Sequence, residues 1–516
     1  MRVALTVADF LDRAELVYGH RPAVIIDEPG VAGSTGTLTY AEMAAHARGM
    51  ALALDDLGVE HGERVAIVSP NSGRFLTSFF GVSGYGRILV PINFRLTRDE
   101  IAYVVEHSGA SVLLYDPDLA NEVDTIKVAH KFRLDGTDDA ALFAPAPEGA
   151  APAVWEADED ATCSVNYTSG TTARPKGVQL THRNCWLNAA VFGWHTGVSD
   201  RDVLLHTLPM FHCNGWGMPY AVTGMGGTHV VLRKVDGEEI LTRMERHGVT
   251  LLCGAPAVVA AILGAAEARA AEGRTVPGRG SVRMVVAGAP PPSKTIERIE
   301  TELGWEFIQI YGLTETAPLL TINRTPAEWD ALGAEERSQL LSRAGVPAMG
   351  VRIAIDTDGE VLAQSNHVFA GYWEQPDETA AALEGGWFHT GDGGYLDGAY
   401  TVIADRKKDV IITGGENVSS IEVEDCLYQH GAVAEVAVIG VPDEKWGETI
   451  KALVVVREGA TTSEAELITH CRERLAHFKA PTSIEFRDAL DRTATGKLQK
   501  YKLRQSYWAG REKSVN

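Results

Sequence analysis

Residues 163–177 read Cys163-Ser-Val-Asn-Tyr167-Thr168-Ser169-Gly170-Thr171-Thr172-Ala173-Arg-Pro-Lys176-Gly177, an apolar strand running into a hydroxyl- and glycine-rich loop that ends on a lysine. Small residues let backbone N–H groups approach phosphate oxygens, and the hydroxyls add donors. The loop is not of the G-x-x-x-x-G-K-[ST] kind. Gly170 and Lys176 have the wrong spacing, Pro175 precedes the lysine and no Ser or Thr follows it, which disfavours an ordinary NTPase. So dense a run of Thr, Ser and Gly before R-P-K-G is also improbable for a plain surface loop.

Outward from this loop the chain alternates helix-like and strand-like stretches. Between Leu38 and Tyr115, TYAEMAAHARGMALALDDLG is followed by RVAIVS, RILVPIN and ASVLLYD, which predicts a parallel sheet covered by helices. Asp135 to Asp160, rich in Ala, Pro and acids without an apolar period, reads as a surface loop that tolerates variation. GGTHVVLRK, EEILTRMERHG, VTLLCGAPAVVAAIL and SVRMVVAGAPP predict a second, similarly built subdomain. After Trp387 short alternating strands with Gly turns take over, then a compact α+β segment. The boundary falls at Arg406 to Lys408, giving domains 1–406 and 407–516 and an α/β fold class.

With 516 residues, 45% of them hydrophobic, there is ample material for several cores. A net charge of −22 argues against a nucleic-acid partner and a polybasic membrane footprint. The six cysteines, Cys163, Cys185, Cys213, Cys253, Cys426 and Cys471, show no C-x-x-C spacing, so neither a zinc site nor a disulfide framework is indicated and a cytoplasmic setting fits. The N-terminus lacks a signal-peptide pattern. The most apolar run, Phe75 to Val90, is broken by Gly81, Gly84, Gly86 and Arg87, so no membrane span is expected.

The loop resembles the phosphate-binding signature of the adenylate-forming superfamily, which includes acyl-CoA synthetases, luciferases and the adenylation domains of peptide synthetases. Ala173 departs from it where Gly is usual, at little cost unless the position needs a positive φ. Gly288-Ala289-Pro290, Gln309-Ile310-Tyr311-Gly312-Leu-Thr314-Glu315-Thr316, Thr390-Gly-Asp392, Asp405-Arg406-Lys-Lys408-Asp409 and Thr495-Gly-Lys497 follow in the superfamily's order. The resemblance spans nearly the whole chain. It implies a large N-terminal domain of layered α/β subdomains plus a small β-barrel-like part, followed by a small mobile α+β C-terminal domain.

By the same resemblance, Thr168, Ser169, Gly170, Thr171, Thr172 and Lys176 hold phosphates, and Tyr311 stacks on adenine beside Gly288 and Ala289. Thr314 contacts the α-phosphate, and Glu315 with Thr168 serves Mg²⁺, a hard cation that takes oxygen ligands. Asp392 and Arg406 grip the ribose hydroxyls. Lys497 enters the site for adenylation, where negative charge gathers between two anions. Lys408 resembles the hinge, and Gly414, Gly415, Glu416 and Asn417 the loop that replaces Lys497 and lines the pantetheine channel.

For the acid, Leu208-Pro-Met-Phe-His212-Cys213-Asn-Gly215-Trp216-Gly217 resembles the fatty-acyl synthetases, with Trp216 as gate and His212, Cys213, Gly288 and Gly312 lining the site. His212 is a positioning group more readily than a base, because a carboxylate needs none. Gly215, Gly217, Gly224, Gly226 and Gly227 either leave room for a long chain or bulky ring or reflect close packing. The resemblance implies ATP, Mg²⁺ and CoA and a medium- or long-chain or otherwise hydrophobic acid. An enzyme that stops at the adenylate, or passes it to a separate acceptor protein, has the same motifs. A homodimer is left open, a luciferase-type oxygenase is disfavoured, and a silent binding protein conflicts with the presence of Glu315, Asp392 and Lys497.

Overall fold

The computed structural model describes residues 1–26, 36–168, 174–288, 291–406, 409–413, 416–443, 446–492 and 498–508, with only the backbone of Asp405, Arg406 and Asn417. Among these residues the chain forms four sheets. A nine-stranded sheet carries a parallel run from Pro22–Ile25 through Thr228–Val231, Val203–His206, Leu251–Gly254 and Arg283–Val286 to Glu306–Gly312, and antiparallel strands close both edges. A seven-stranded sheet is parallel from His130–Arg133 to Thr162–Thr168, then antiparallel through Lys176–Thr181 to Gly371–Tyr372. The predicted helix-and-parallel-sheet layering is therefore present twice.

The patterned stretches explain why. Tyr40–Asp56 is a helix closed at its start by a Thr39–Glu42 capping box, and Gly237–His247 is capped by Asp236, whose side chain accepts from Glu239 N–H. The strands Arg64–Val68, Ile88–Ile92 and Val112–Tyr115 are almost continuously buried, as central parallel strands covered on both faces should be. One hydrophobic cluster, from Val7 to Phe388, joins the two large sheets.

The segment 135–160 departs from the expectation of a dispensable loop. It is irregular, yet Leu142 and Phe143 are buried in the main cluster, and His46 Nδ1 lies 2.6 Å from the Phe143 carbonyl. Its Ala and Pro content hid two apolar residues that cover the helix Tyr40–Asp56.

Beyond Val346–Pro347 comes a four-stranded antiparallel sheet, Arg352–Ile355, Glu360–Gln364, Phe388–Asp397 and Tyr400–Arg406. The last sheet comprises Glu416–Val418, Ile411–Thr413, Gly447–Val456, Val433–Asp443 and Ser483–Phe486, with its own buried clusters between residues 411 and 503. No helix among the described residues is long and apolar enough to cross a membrane.

Several histidines are buried in the large unit. His206 Nε2 and His229 Nδ1 lie 3.0 Å apart, with Thr223 Oγ1 3.0 Å from His229 Nε2. His182 Nδ1 accepts from Val7 N–H. Burial depresses His206 to about 3 and His182 to about 4, and burial followed by the His206 charge lowers His229. In the unfolded chain these rings titrate near 6.5, so below that pH the unfolded state binds more protons. Their contribution is complete above pH 6.5 and is lost as pH falls towards 3. Urea midpoints are expected to drop from pH 7 to pH 5, His206 and His182 each costing roughly 2 kcal/mol at pH 5, and His182→Gln is expected to flatten the slope.

Candidate active site

Among the described residues, Tyr311, Asp392, Glu315 and Lys176 come together where the two large sheets meet the four-stranded sheet. The strand Glu306–Gly312 delivers Gln309, Ile310, Tyr311 and Gly312 and leads into a short helical turn, Thr314–Thr316. Gly312 is required sterically, because a Cβ there would sit 1.5 Å from the Pro318 carbonyl oxygen. Thr316 Oγ1 accepts from Leu313 N–H and bonds the carbonyls of Leu313 and Pro318, fixing the turn. Gly288 follows the neighbouring parallel strand Arg283–Val286, whose Val286 pairs with Gln309. Extending that register puts Gly288 level with Tyr311.

Two tyrosines fix the two carboxylates. The Tyr311 hydroxyl donates to Asp392 Oδ2 at 2.8 Å, and the Tyr372 hydroxyl donates to Glu315 Oε1 at 3.0 Å. Phe369 N–H donates to the Glu315 carbonyl at 2.8 Å, holding the two segments in register. Burial first, and then the Glu315 carboxylate, raises the Tyr372 phenol far above the ordinary tyrosine range, so it stays a donor. Sequence reading missed Tyr372, a plain aromatic in G-Y-W with no motif to flag it.

Lys176 pairs across from Thr168 in the antiparallel ladder. Its ammonium lies 4.8 Å from the Tyr372 ring centroid and forms an ion pair with Glu378. Thr168, Lys176, Tyr372 and Glu315 are thus linked in one neighbourhood. Asp392 pairs with Arg406 in the register of the small sheet. The strand Phe388–Asp397 is braced at Asp392 by Glu360, whose Oε1 accepts from Gly391 N–H at 2.8 Å, and by Thr390 Oγ1, which accepts from Asp392 N–H at 3.1 Å.

The segment 213–217 has an unusual backbone. Cys213, Asn214, Gly215, Trp216 and Gly217 all have positive φ, from 46° to 78°. For the three non-glycine residues this costs roughly 1 kcal/mol or more each. Cys213, Asn214 and Trp216 are buried, while His212 caps the turn half-buried. Burial, then Cys185 and Glu315, raise the Cys213 thiol well above its ordinary value, making it a poor nucleophile. The glycines that follow are packed. A Cβ on Gly217 would lie 2.5 Å from Asn188 Nδ2, on Gly224 2.6 Å from Phe10 and on Gly226 2.2 Å from Tyr18.

The chain matches the AMP-binding enzyme family over residues 11–373 and the AMP-binding enzyme C-terminal domain over residues 422–497. It belongs to the adenylate-forming superfamily. A 2-methylpropanoate–CoA ligase of Humulus lupulus is 36% identical over 562 residues, covering 97% of this chain and 94% of the relative. A 4-hydroxybutyrate–CoA ligase of Metallosphaera sedula is 36% identical over 541 residues, with coverage of 97% and 94%. Among solved structures, an anthranilate CoA ligase in complex with anthranoyl-AMP superposes with a TM-score of 0.86 at 26% identity over 98% of each chain. This adenylate-forming enzyme therefore sits among acyl- and aryl-CoA ligases, which use ATP, Mg²⁺ and CoA.

The donor set of the adenylate-forming site suits Mg²⁺. Among the described residues no group of three or more His, Cys, Asp and Glu forms a cage for a metal ion. A single oriented carboxylate, Glu315, beside the Thr168 neighbourhood fits an ion that keeps waters and phosphate oxygens and takes one or two protein ligands. Ser169, Gly170, Thr171, Thr172, Ala289, Pro290, Lys408, Gly414, Gly415 and Lys497 lie outside the described residues. Glu416 is exposed at the start of the strand Glu416–Val418 in the C-terminal sheet. Asn417 follows it in that strand.

Proposed function

We propose that this enzyme joins a compact hydrophobic carboxylic acid to CoA in two steps. In the first, a carboxylate oxygen attacks the α-phosphorus of ATP, the bond to the bridging oxygen breaks and pyrophosphate leaves. In the second, the CoA sulfur attacks the acyl carbonyl, AMP departs and the thiol gives up its proton. The observation that carries this reading is the pair of tyrosine–carboxylate contacts, Tyr311 with Asp392 and Tyr372 with Glu315, brought from three sheets to one place.

In this reading Tyr311 offers a face to adenine, Asp392 with Arg406 takes the ribose hydroxyls, and Thr168, Thr314 and Lys176 meet phosphates. Glu315 with Thr168 holds Mg²⁺, which supplies neutralisation of the phosphate charge. His212 and Trp216 shape the acid site. The chain divides at 406/407, a reading supported by the separate buried clusters on either side, and the smaller unit brings Lys497 and then residues 414–417 to the same place. ATP, CoA and the acid are the partners, and cytoplasm the setting.

A compact acid is favoured over a long chain because Phe10, Tyr18 and Asn188 occupy the space beside Gly224, Gly226 and Gly217, and Trp216 is buried. The relatives' named acids, 2-methylpropanoate and 4-hydroxybutyrate, agree. The test is parallel measurement of pyrophosphate and thioester with ATP, Mg²⁺, CoA and a panel of C3–C6 straight, branched and hydroxylated acids, C8–C16 fatty acids and aryl acids. The short and branched acids are expected to give kcat/KM at least about tenfold above C12, the range that one or two methylenes command in a shaped apolar pocket. Preference for C12 or longer overturns the compact-acid reading, and acid-dependent pyrophosphate without thioester overturns CoA as acceptor.

A further inference from the structure

The left-handed turn 213–217 is held from three directions. Asn214 donates to Ser164 Oγ at 2.8 Å and accepts from Asn166 Nδ2 at 3.1 Å, both on the strand Thr162–Thr168. Cys213 Sγ donates to the Thr314 carbonyl at 3.8 Å. Asn188, a fully buried residue in the helix His182–Thr196, donates to the Trp216 carbonyl at 3.1 Å and accepts from Leu319 N–H at 3.2 Å. Leu319 closely follows the turn that carries Thr314 and Glu315.

These contacts have a shared direction. A carboxamide has one donor end and one acceptor end, and Asn188 spends one on the wall of the acid site and the other on the segment that presents Thr314 and Glu315. The close approach of Gly217 to Asn188 Nδ2 leaves no room for a side chain there. Buried polar groups of this kind are either satisfied together or costly together, so displacement of either turn strains the other. A backbone held in the left-handed region at three non-glycine residues persists only where its surroundings over-determine it.

We propose that Asn188 is a positioning residue that ties the wall of the acid site to the turn bearing Thr314 and Glu315, so that acid and ATP bind with positive coupling. The proposal rests on the acid and ATP sites assigned above. It predicts reciprocity: each ligand tightens the other by the same factor, because coupling is a property of the ternary complex.

The test measures by calorimetry the dissociation constant of the best acid in the panel, without and with saturating Mg²⁺ and α,β-methylene-ATP. Wild type is expected to show at least about fivefold tightening. In Asn188→Asp, which keeps an acceptor for Leu319 N–H and loses the donor to Trp216, the tightening is expected to fall below about twofold. The binary constants should stay within about twofold, and the KM for each substrate at saturating partner should rise by the lost coupling factor. A residue that serves only folding would instead lower the active fraction and leave the ratio intact. Asn214→Gly, which retains the left-handed backbone while releasing it from Ser164 and Asn166, is the second variant and decides the matter if Asn188→Asp does not fold. Retention of the wild-type ratio in a folded variant, or a wild-type ratio below twofold, overturns the proposal. A wild type that makes thioester yet shows no coupling defeats this inference alone, whereas one that activates no acid defeats the functional reading with it.

Discussion

Glu315→Gln is expected to lower acid-dependent pyrophosphate release about 10²-fold or more and to raise the Mg²⁺ concentration needed for half-maximal rate. The substitution is informative because it separates charge from packing. A glutamine Oε1 can still accept the Tyr372 hydroxyl, which now donates at 3.0 Å, and the main-chain bond from Phe369 N–H to residue 315 is untouched. What is lost is the negative charge that a hard dication prefers. Tyr372→Phe makes the complementary change, leaving the charge and removing the donor that orients it. Its expected loss is smaller, about tenfold, the scale of one hydrogen bond to a charged group. Rates for Glu315→Gln within threefold of wild type, with unchanged Mg²⁺ dependence, would remove Glu315 from the proposed metal site.

The layered sheets were legible because their strands are buried on both faces, and a run such as Arg64–Val68 can then be apolar throughout. The helix Tyr40–Asp56 was legible as a helix-like stretch, and the structure shows that a Thr39–Glu42 capping box sets its start. Segment 135–160 is irregular, as its composition predicts, but its burial was not legible. Leu142 and Phe143 are buried by tertiary packing, while their neighbours have a loop's composition, and no period advertises an irregular segment that covers a helix.

The site divides in a similar way. Asp392 and Glu315 were legible because each sits in a short motif that resembles the superfamily's own. Tyr372 and Asn188 were not, since each acts through a residue far away in the chain and carries no local signature. The glycines after Trp216 show the limit most clearly. A missing side chain creates either a void or a seat for a neighbour, and only the fold reveals that Phe10 and Tyr18, from the first helix, fill the places beside Gly224 and Gly226. The expectation of a longer acid came from the resemblance of segment 208–217 to the fatty-acyl synthetases, while these glycines left both readings open.

Lys497→Ala is expected to separate the two half-reactions. Two anions must approach as the carboxylate attacks the α-phosphate, and unit charges 4 Å apart interact by about 4 kcal/mol at an effective dielectric of 20. Removing one ammonium from that point should slow adenylation about 10²-fold or more. Thioester formation from supplied acyl-adenylate and CoA should stay within threefold of wild type, because in the proposed second step residues 414–417 have taken the place of Lys497. Lys497 lies outside the described residues, but the chain on either side is placed: Arg492 and Leu498 form an antiparallel bridge, and Gln499 N–H donates to the Asp491 carbonyl at 2.8 Å. The nearby Lys500 is no substitute, since its ammonium lies 2.8 Å from Glu424 in an ion pair within the C-terminal unit. Lys500→Ala should therefore lower the stability of that unit without splitting the half-reactions. Parallel slowing of both steps by Lys497→Ala, measured by pyrophosphate release and by conversion of supplied acyl-adenylate, would make Lys497 a structural residue and leave the adenylation charge to Lys176 and Mg²⁺.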